Sequence, residues 1–329
     1  MTIMQIYLAT YMGMCRGLRL ILHRTNREVR EPSGNDIYLF KNLVHNHQAH
    51  KHLLDLGVKA QLFNPDDIPD NSRVIVGPHS APPSVLRMIS ERATLIDTSC
   101  KFVLKVLVVA KELSKEGYCV VFIGNSNHEE AEMIENAIPD SFILSSENDI
   151  DKLPSDKPLG LVSQSTQTLE RYLKFAELIK ASGRKVKIGM TVCQETHKRQ
   201  SAVIDLAKRV NKMIVIGGNH SNNTIALTET ARKYTTTWQV ETADELNPDW
   251  FEFEDKVGIT AGASTPDTIV DSIVNRLQEI NLDVMSKDTS ITSNKLRWNI
   301  VRMRTSISNI FFSMLEWVQH LRGRNPTDI

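Results

Sequence analysis

The sequence carries no excess charge of either sign: Lys and Arg number 39, and so do Asp and Glu. A nucleic-acid-binding surface shows as a basic excess, so no nucleic-acid partner is expected. No apolar run reaches the length needed to cross a bilayer. The start, Met1 to Cys15, is apolar but lacks a basic leader region and a small-residue cleavage site, so it reads as a strand rather than a signal peptide. Cysteine is scarce, with 4 in 329 residues, which excludes a disulfide scaffold. A reducing, cytoplasmic setting follows, in which cysteines more often bind metal or do chemistry. No Gly/Ser-rich or Pro-rich linker divides the chain, although its length suits two or three compact units.

What the chain does have is an internal repeat. Three segments read as an apolar strand, a short turn, a cysteine and a helical pattern: Gln5 to Cys15 and on to Leu22, Ala93 to Cys100 and on to Leu113, and Lys185 to Cys193 and on to Val210. The cysteines stand about one small domain apart. A second strand follows each, at Ile37–Phe40, Cys119–Ile123 and Met213–Ile216, and leads into a loop carrying His45, His128 or His220. A third strand ends in small or polar residues: Gly77-Pro78-His79-Ser80, Ser163-Gln164-Ser165-Thr166 and Ala261-Gly262-Ala263-Ser264. Helical patterns follow, as at Leu169–Ile179 and Thr268–Ile280.

Strands alternating with helices at this spacing indicate parallel α/β units. The fold expected is α/β, in three similar lobes: 1–99 with Cys15, 100–192 with Cys100 and 193–284 with Cys193, then an extension over 285–329. Ligands of open parallel sheets bind at the carboxyl ends of strands. All of these loops lie there, so three facing lobes would pool their chemistry at one centre.

Cys15, Cys100 and Cys193 each stand between a strand and a helix start, where free N–H groups and the helix dipole favour the metal-binding thiolate. Iron–sulfur clusters are normally held by four thiolates. Three equivalent cysteines would leave one iron open, as a Lewis acid requires. A lone free cysteine is more often a small buried hydrophobe. Three at one place in a repeat argue otherwise, whereas Cys119, inside a strand and without counterparts, reads as core. His45, His79 and His128 can donate to phosphate oxygens and titrate near neutrality. Ser221, Asn223 and Ser264, with the N–H groups around Gly262, are short donors suited to an anion at a helix start. Taken singly, each is as readily a loop or cap residue. His47, His50 and His52 read as the solvated face of a helix.

The ordered set Gly13-Met14-Cys15, Val44-His45-Asn46, His79, Asp97-Thr98-Ser99-Cys100, Asn127-His128-Glu129-Glu130-Ala131-Glu132, Ser163-Gln164-Ser165-Thr166, Cys193, Thr196, Arg199-Gln200, Ser221-Asn222-Asn223 and Thr260 to Asp267 resembles the 4-hydroxy-3-methylbut-2-enyl diphosphate reductase family. The resemblance runs from about Met4 to Val284. It implies a quasi-threefold trefoil around a 4Fe–4S cluster with three cysteine ligands and one open iron. It also implies reductive removal of an allylic hydroxyl to give isopentenyl and dimethylallyl diphosphates, the last step of the non-mevalonate isoprenoid pathway. By that resemblance Cys15, Cys100 and Cys193 are the ligands, and His45, His79, Ser221, Asn222, Asn223 and Ser264 bind the diphosphate. Glu130 is the proton source, with His128, Ser165 and Thr166 orienting the hydroxyl. A ferredoxin or flavodoxin is the implied electron donor.

Several positions depart from the family pattern. Arg16 follows the first cysteine in place of a small residue, and Lys101 the second in place of proline. Pro78 and Ser80 replace Ala and Gly, Glu129 replaces Pro, and Met133 replaces Gly; Asn222 and Ser165 replace Ser and Thr. These changes raise the alternative of a divergent paralogue with a retuned cluster or a different substrate; a non-catalytic cluster-binding sensor is the third reading. The tail from Leu296 to Leu321 carries apolar residues at spacings of three and four, the mark of one helix face. Packing on the first lobe or in a homodimer is the plainer expectation. Contact with a membrane surface is the sharper one, given Arg302, Arg304, Arg322 and Arg324 beside Phe311, Phe312 and Trp317.

Overall fold

The computed structural model describes residues 4–31, 34–41, 43 and 47–287, with side chains except those at 47–49, 52 and 283–287. His45 lies outside the described residues, and so does the helix expected over Leu296–Leu321 with the dimer or membrane contact read into it.

In chain order, β1 (Gln5–Leu8) and α1 (Arg16–Arg30) flank Cys15. Then come β2 (Ile37–Phe40), α2 (His47–Asp55), β3 (Gln61–Leu62), β4 (Arg73–Val76), α3 (Pro83–Arg92) and β5 (Thr94–Asp97). After Cys100 follow α4 (Lys101–Lys115), β6 (Cys119–Ile123), α5 (Glu129–Ala137), β7 (Phe142–Leu144), β8 (Leu159–Ser163), α6 (Leu169–Ala181) and β9 (Val186–Ile188). After Cys193 follow α7 (Gln194–Ala207), β10 (Lys212–Ile216), α8 (Asn222–Arg232), β11 (Thr236–Val240), β12 (Lys256–Ala261) and α9 (Asp267–Lys287).

The strands form three parallel four-stranded sheets with one shared plan, in the orders β3-β2-β4-β5, β7-β6-β8-β9 and β11-β10-β12-β1. The central strands are short Val/Ile/Leu runs buried along their whole length, as in β4, β6 and β8. That is the composition of a parallel sheet covered by helices on both faces. The helices supply apolar stripes: α4 buries Val103, Val106, Ala110 and Leu113 at spacings of three and four. The strands absent from the sequence reading, β3, β7 and β11, are all sheet edges. Two of them are too short to show a pattern.

One placement differs from the expected division of the chain. β1 was read with residues 1–99, but it pairs with β12, Gln5 opposite Lys256 through Leu8 opposite Ile259, in the third lobe's sheet. Helix α1 then packs Leu18, Ile21, Leu22 and Val29 on the first lobe with Leu39 and Ile75. The other cysteines repeat this. Cys100 joins β5 of the first lobe to α4, whose Val106 and Ala110 pack with Val120 and Phe122 of the second. Cys193 joins β9 of the second lobe to α7, whose Val203 and Leu206 pack with Met213 and Val215 of the third. The strand–cysteine–helix repeat is therefore a crossover between lobes. A sequence does not separate the two cases, because strand and helix look alike whether they share a core or straddle two. Three such crossovers close the ring, with a cysteine at each.

Candidate active site

Each cysteine is the N-cap of its helix: Cys15 of α1, Cys100 of α4 and Cys193 of α7. Each also gives its backbone N–H to a carbonyl of the polar loop ending the neighbouring strand. Cys15 donates to Ala263, Cys100 to Pro78 and Cys193 to Ser165, all at 2.9 Å. Those three loops turn alike, with Thr265 N–H on the Gly262 carbonyl, Ser80 on Gly77 and Gln167 on Gln164. The threefold equivalence thus extends to individual hydrogen bonds.

The sulfurs face a shared volume. A Cβ placed on Gly17, in the first turn of α1, would stand 3.6 Å from Cys100 Sγ and 3.7 Å from Cys15 Sγ. Burial pushes the Cys15 thiol up, partly offset by the Leu18 N–H at 3.3 Å, and Cys100 pushes it further. Burial also raises Cys193, against the N–H groups of Thr196 and Glu195, and both other cysteines add to the rise. Three thiols, Cys193 buried and Cys15 and Cys100 half-buried, each at a helix N-terminus, form a donor set that fits an iron–sulfur centre, whose cationic metal removes the penalty on Cys15 and Cys193. Cys119 sits apart in the second lobe's core, its thiol on the Asp140 carbonyl.

Strand register sets the polar groups around this centre. In the second lobe Ile123 lies opposite Ser163, so the segment leading through His128 to Glu130 at the start of α5 and the loop carrying Ser165 and Thr166 leave side by side. Glu130 is fully buried. Its Oε2 accepts the Ser165 N–H at 2.8 Å and its Oε1 the Ser165 hydroxyl at 2.7 Å. Burial raises its carboxyl to about 7 despite both Ser165 bonds, with Glu129 adding to the rise. His128 caps α5, its Nδ1 accepting the Glu130 N–H at 3.2 Å. A neutral His128 accordingly carries its proton on Nε2. Thr166 is half-buried, its hydroxyl oxygen accepting from Gln164 Nε2 at 3.1 Å.

From the first lobe, His79 reaches across to this group. Its Nδ1 is 3.9 Å from Glu130 Oε1, and its ring meets that of His128 edge-on at 4.8 Å. Lys41 of the first lobe pairs with Glu132 of the second beside them. One ligand atom from each of His79, His128 and Glu130 lies within 4.8 Å of the others. Two imidazoles and a carboxyl at that spacing can hold a cation or pass a proton. Because both Glu130 oxygens already accept from Ser165, and its acid form persists to neutral pH, proton transfer is the better match.

In the third lobe Ile216 lies opposite Ala261, which brings the start of α8 against the loop carrying Ser264. Ser221 caps α8 through its Oγ and the Thr224 N–H. Ser221, Asn223 and Ser264 are buried, and Asn222 is half-buried. Both amide atoms of Asn223 are buried without a partner among the described residues. Such a group calls for a ligand. The approach is close: a Cβ on Gly262 would fall 2.2 Å from Thr224 Oγ1. Asn222 and Thr166 line one cleft of about 310 Å³ between the second and third lobes.

Arg199 was given no role from the sequence beyond its place in the family motif. Buried on α7, it donates from Nε and Nη2 to the Gly13 carbonyl at 3.1 and 2.7 Å and from Nη1 to the Glu195 carbonyl at 2.8 Å. Glu195 also accepts from the Tyr11 hydroxyl at 2.8 Å. This network fixes the Gly13–Cys15 turn to α7; within it the Arg199 charge favours the Cys15 thiolate and Glu195 opposes it. Only its burial marks Arg199 out, and burial is not readable from one sequence.

Of the departures, Ser80 takes a left-handed backbone, φ 64°, with its hydroxyl buried and unpartnered among the described residues. Met133 is fully buried in α5. Arg16 and Lys101 are exposed.

A family model described as LytB protein matches residues 6–278. A curated relative from Alkaliphilus oremlandii, named 4-hydroxy-3-methylbut-2-enyl diphosphate reductase, is 32% identical over 84% of this chain and 100% of its own length. One of the same name from Geobacter metallireducens is 34% identical over 84% of this chain and 98% of its own. Among solved structures, (E)-4-hydroxy-3-methyl-but-2-enyl diphosphate reductase, described as the terminal enzyme of the non-mevalonate pathway, superposes with a TM-score of 0.63 at 30% identity, over 84% of this chain and 99% of its own. The E-1-hydroxy-2-methyl-but-2-enyl-4-diphosphate reductase from Plasmodium falciparum gives 0.78 at 26% identity, over 84% and 89%. With its three-lobed fold and the greater part of its length matched, the chain belongs to the LytB family of reductases.

Proposed function

We propose that this enzyme removes the allylic hydroxyl of 4-hydroxy-3-methylbut-2-enyl diphosphate, giving isopentenyl and dimethylallyl diphosphates, with a 4Fe–4S cluster held by Cys15, Cys100 and Cys193. The alcohol takes up two electrons and two protons and leaves an alkene and water. When bound, the cluster supplies the electrons one at a time and an open Lewis-acidic iron. Glu130, kept protonated by burial, gives a proton to the departing oxygen. Ser165 holds that acid in place, while His79 and His128 flank it and, with Thr166, orient the hydroxyl. His45, His79, Ser221, Asn222, Asn223 and Ser264 take the diphosphate, the unsatisfied Asn223 amide and the α8 N-terminus supplying donors. A ferredoxin or flavodoxin delivers the electrons in the reducing cytoplasm, a setting that agrees with four free cysteines. No helix among the described residues is long and apolar enough to cross a membrane.

One observation carries this reading: a fully buried acid in the first turn of α5 with its carboxyl raised to about 7, held by Ser165, whose carbonyl accepts the Cys193 N–H. Anaerobic reconstitution followed by iron and sulfide counts should give about four of each per chain. Turnover of the hydroxylated diphosphate should follow, and an analogue lacking the diphosphate should bind poorly. Tight binding of that analogue would remove the diphosphate assignment. A second reading, a paralogue with a different substrate, is favoured by Ser80 and Met133 standing where the family carries glycine. Faster turnover of another allylic alcohol than of the family substrate would select it.

A further inference from the structure

Helix α5 opens on three acids, Glu129, Glu130 and Glu132. Glu132 pairs with Lys41 of the first lobe, and Glu130 is held by Ser165. Glu129 faces a different neighbour: its Oε2 lies 3.9 Å from His128 Nε2. This half-buried acid stands where the family pattern carries proline, and the proposed reaction leaves it without a part. Its charge bears on Glu130, adding to the rise of that carboxyl. Two carboxyls have thus been brought beside two imidazoles, an arrangement that a cation relieves.

The spacing suits one ion. His128 Nδ1 is taken by the Glu130 N–H, which turns Nε2 toward Glu129. His79 Nδ1 is 3.9 Å from Glu130 Oε1, and one ligand atom from each of His79, His128 and Glu130 lies within 4.8 Å of the others. Ligands around a tetrahedral zinc stand about 3.4 Å apart, so shifts of about an ångström bring these atoms onto one metal. A carboxylate oxygen has two lone pairs, so Glu130 Oε1 can accept from Ser165 and bind a metal together. Paired imidazoles select zinc over magnesium or calcium.

We propose that His79, His128 and Glu130, completed by Glu129, form a zinc site whose occupation switches the enzyme off. The ion takes the place of the Glu130 proton, which leaves to solvent, and withholds both imidazoles from the substrate hydroxyl. Binding needs only these side chains; the loss of turnover rests on the reading that Glu130 is the proton source.

The test titrates zinc sulfate into the anaerobically reconstituted enzyme against a chromophoric chelator, then records X-ray absorption at the zinc edge. About one zinc should bind per chain, with only nitrogen and oxygen in its first shell. Glu129→Gln should bind zinc at least about tenfold more weakly. Glu129→Pro should do the same, proline being suited to the first helical position. Both variants should turn over at near the wild-type rate without zinc, driven by dithionite, and should resist zinc that stops the wild type. The control Glu147→Gln, at an acid paired with Lys174, should bind zinc like wild type. Sulfur in the zinc shell would put the ion on the cysteines and overturn the site. Wild-type affinity in both Glu129 variants would also overturn it, and would leave Glu130 standing as the proton source. Zinc bound through nitrogen and oxygen with no effect on turnover would overturn the switch, and with it the role given to Glu130.

Discussion

Ser165 holds Glu130 by both carboxylate oxygens, giving its N–H to one at 2.8 Å and its hydroxyl to the other at 2.7 Å. The same residue accepts the Cys193 N–H at 2.9 Å. One short loop therefore fixes the acid and the start of a ligand helix together. These bonds favour the ionised carboxyl, burial opposes them, and burial prevails, leaving the group near 7.

Activity should accordingly fall as pH rises through about 7, where Glu130 loses its proton. Stability has the same direction. The folded carboxyl lies above its unfolded value of 4.5, so the folded state binds more protons between 4.5 and about 7. The contribution is fully present below 4.5 and is lost as pH rises through 7. Glu130→Gln should abolish turnover yet flatten the stability profile across that window. If the melting curve of the Glu130→Gln protein keeps the wild-type pH dependence, that dependence belongs to another group.

Removing the hydroxyl by Ser165→Ala deletes a donor that favours the carboxylate. The alkaline limb of the rate profile should then move up by about one unit, corresponding to one charge-assisted hydrogen bond. Iron content should stay at the wild-type level, because the Ser165 carbonyl that receives Cys193 is retained. A fall in iron with no movement of the limb would make the hydroxyl structural.

Ser80 occupies left-handed backbone, φ 64°, with a buried hydroxyl that has no partner among the described residues. Glycine meets no steric penalty there and carries no hydroxyl to bury. Ser80→Gly should stabilise the protein by about 1 kcal/mol, reduced somewhat by the added freedom of the unfolded chain. Thermal melting measures it. A lower melting temperature would mean that the hydroxyl has a partner in the working enzyme.

Much of this was legible because the chemistry repeats. A cysteine between strand and helix three times over, with polar loops in the same order, placed the thiols at helix starts, whereas Glu130 near Ser165 followed only from the family resemblance. The assignment of β1 was not legible, since pairing with β12 depends on a partner about 250 residues away. Nor was the proximity of His79 to Glu130, which joins two lobes at 3.9 Å. Gly17 escaped for a different reason: an ordinary helix glycine in sequence, it gains meaning only from the sulfurs about it.

Those sulfurs make Gly17 a direct probe of the centre. A methyl group there would stand at ordinary contact distance, 3.6 and 3.7 Å from Cys100 and Cys15. Gly17→Ala should reconstitute with near-normal iron. Gly17→Leu sends further carbons into the volume the sulfurs face and should lose most of its iron while retaining the helical content of wild type. Normal iron in the leucine variant would show that the metal lies on the other side of the thiols.

Arg199 anchors the turn that delivers Cys15 by donating twice to the Gly13 carbonyl, and Gly13 itself takes a left-handed φ of 71°. A lysine at 199 keeps a positive charge but offers no planar fork, so one ammonium must replace contacts made by three guanidinium nitrogens. Arg199→Lys should fold, melt a few degrees lower and release iron faster under chelation. Arg199→Met leaves the Glu195 carboxylate without its cation in a part-buried site, and such broken pairs cost about 3–5 kcal/mol. If Glu195 is the source of that loss, Arg199→Met combined with Glu195→Gln should recover part of the stability while iron release stays fast. Recovery of both together would reduce Arg199 to a charge partner with no hold on the Cys15 turn.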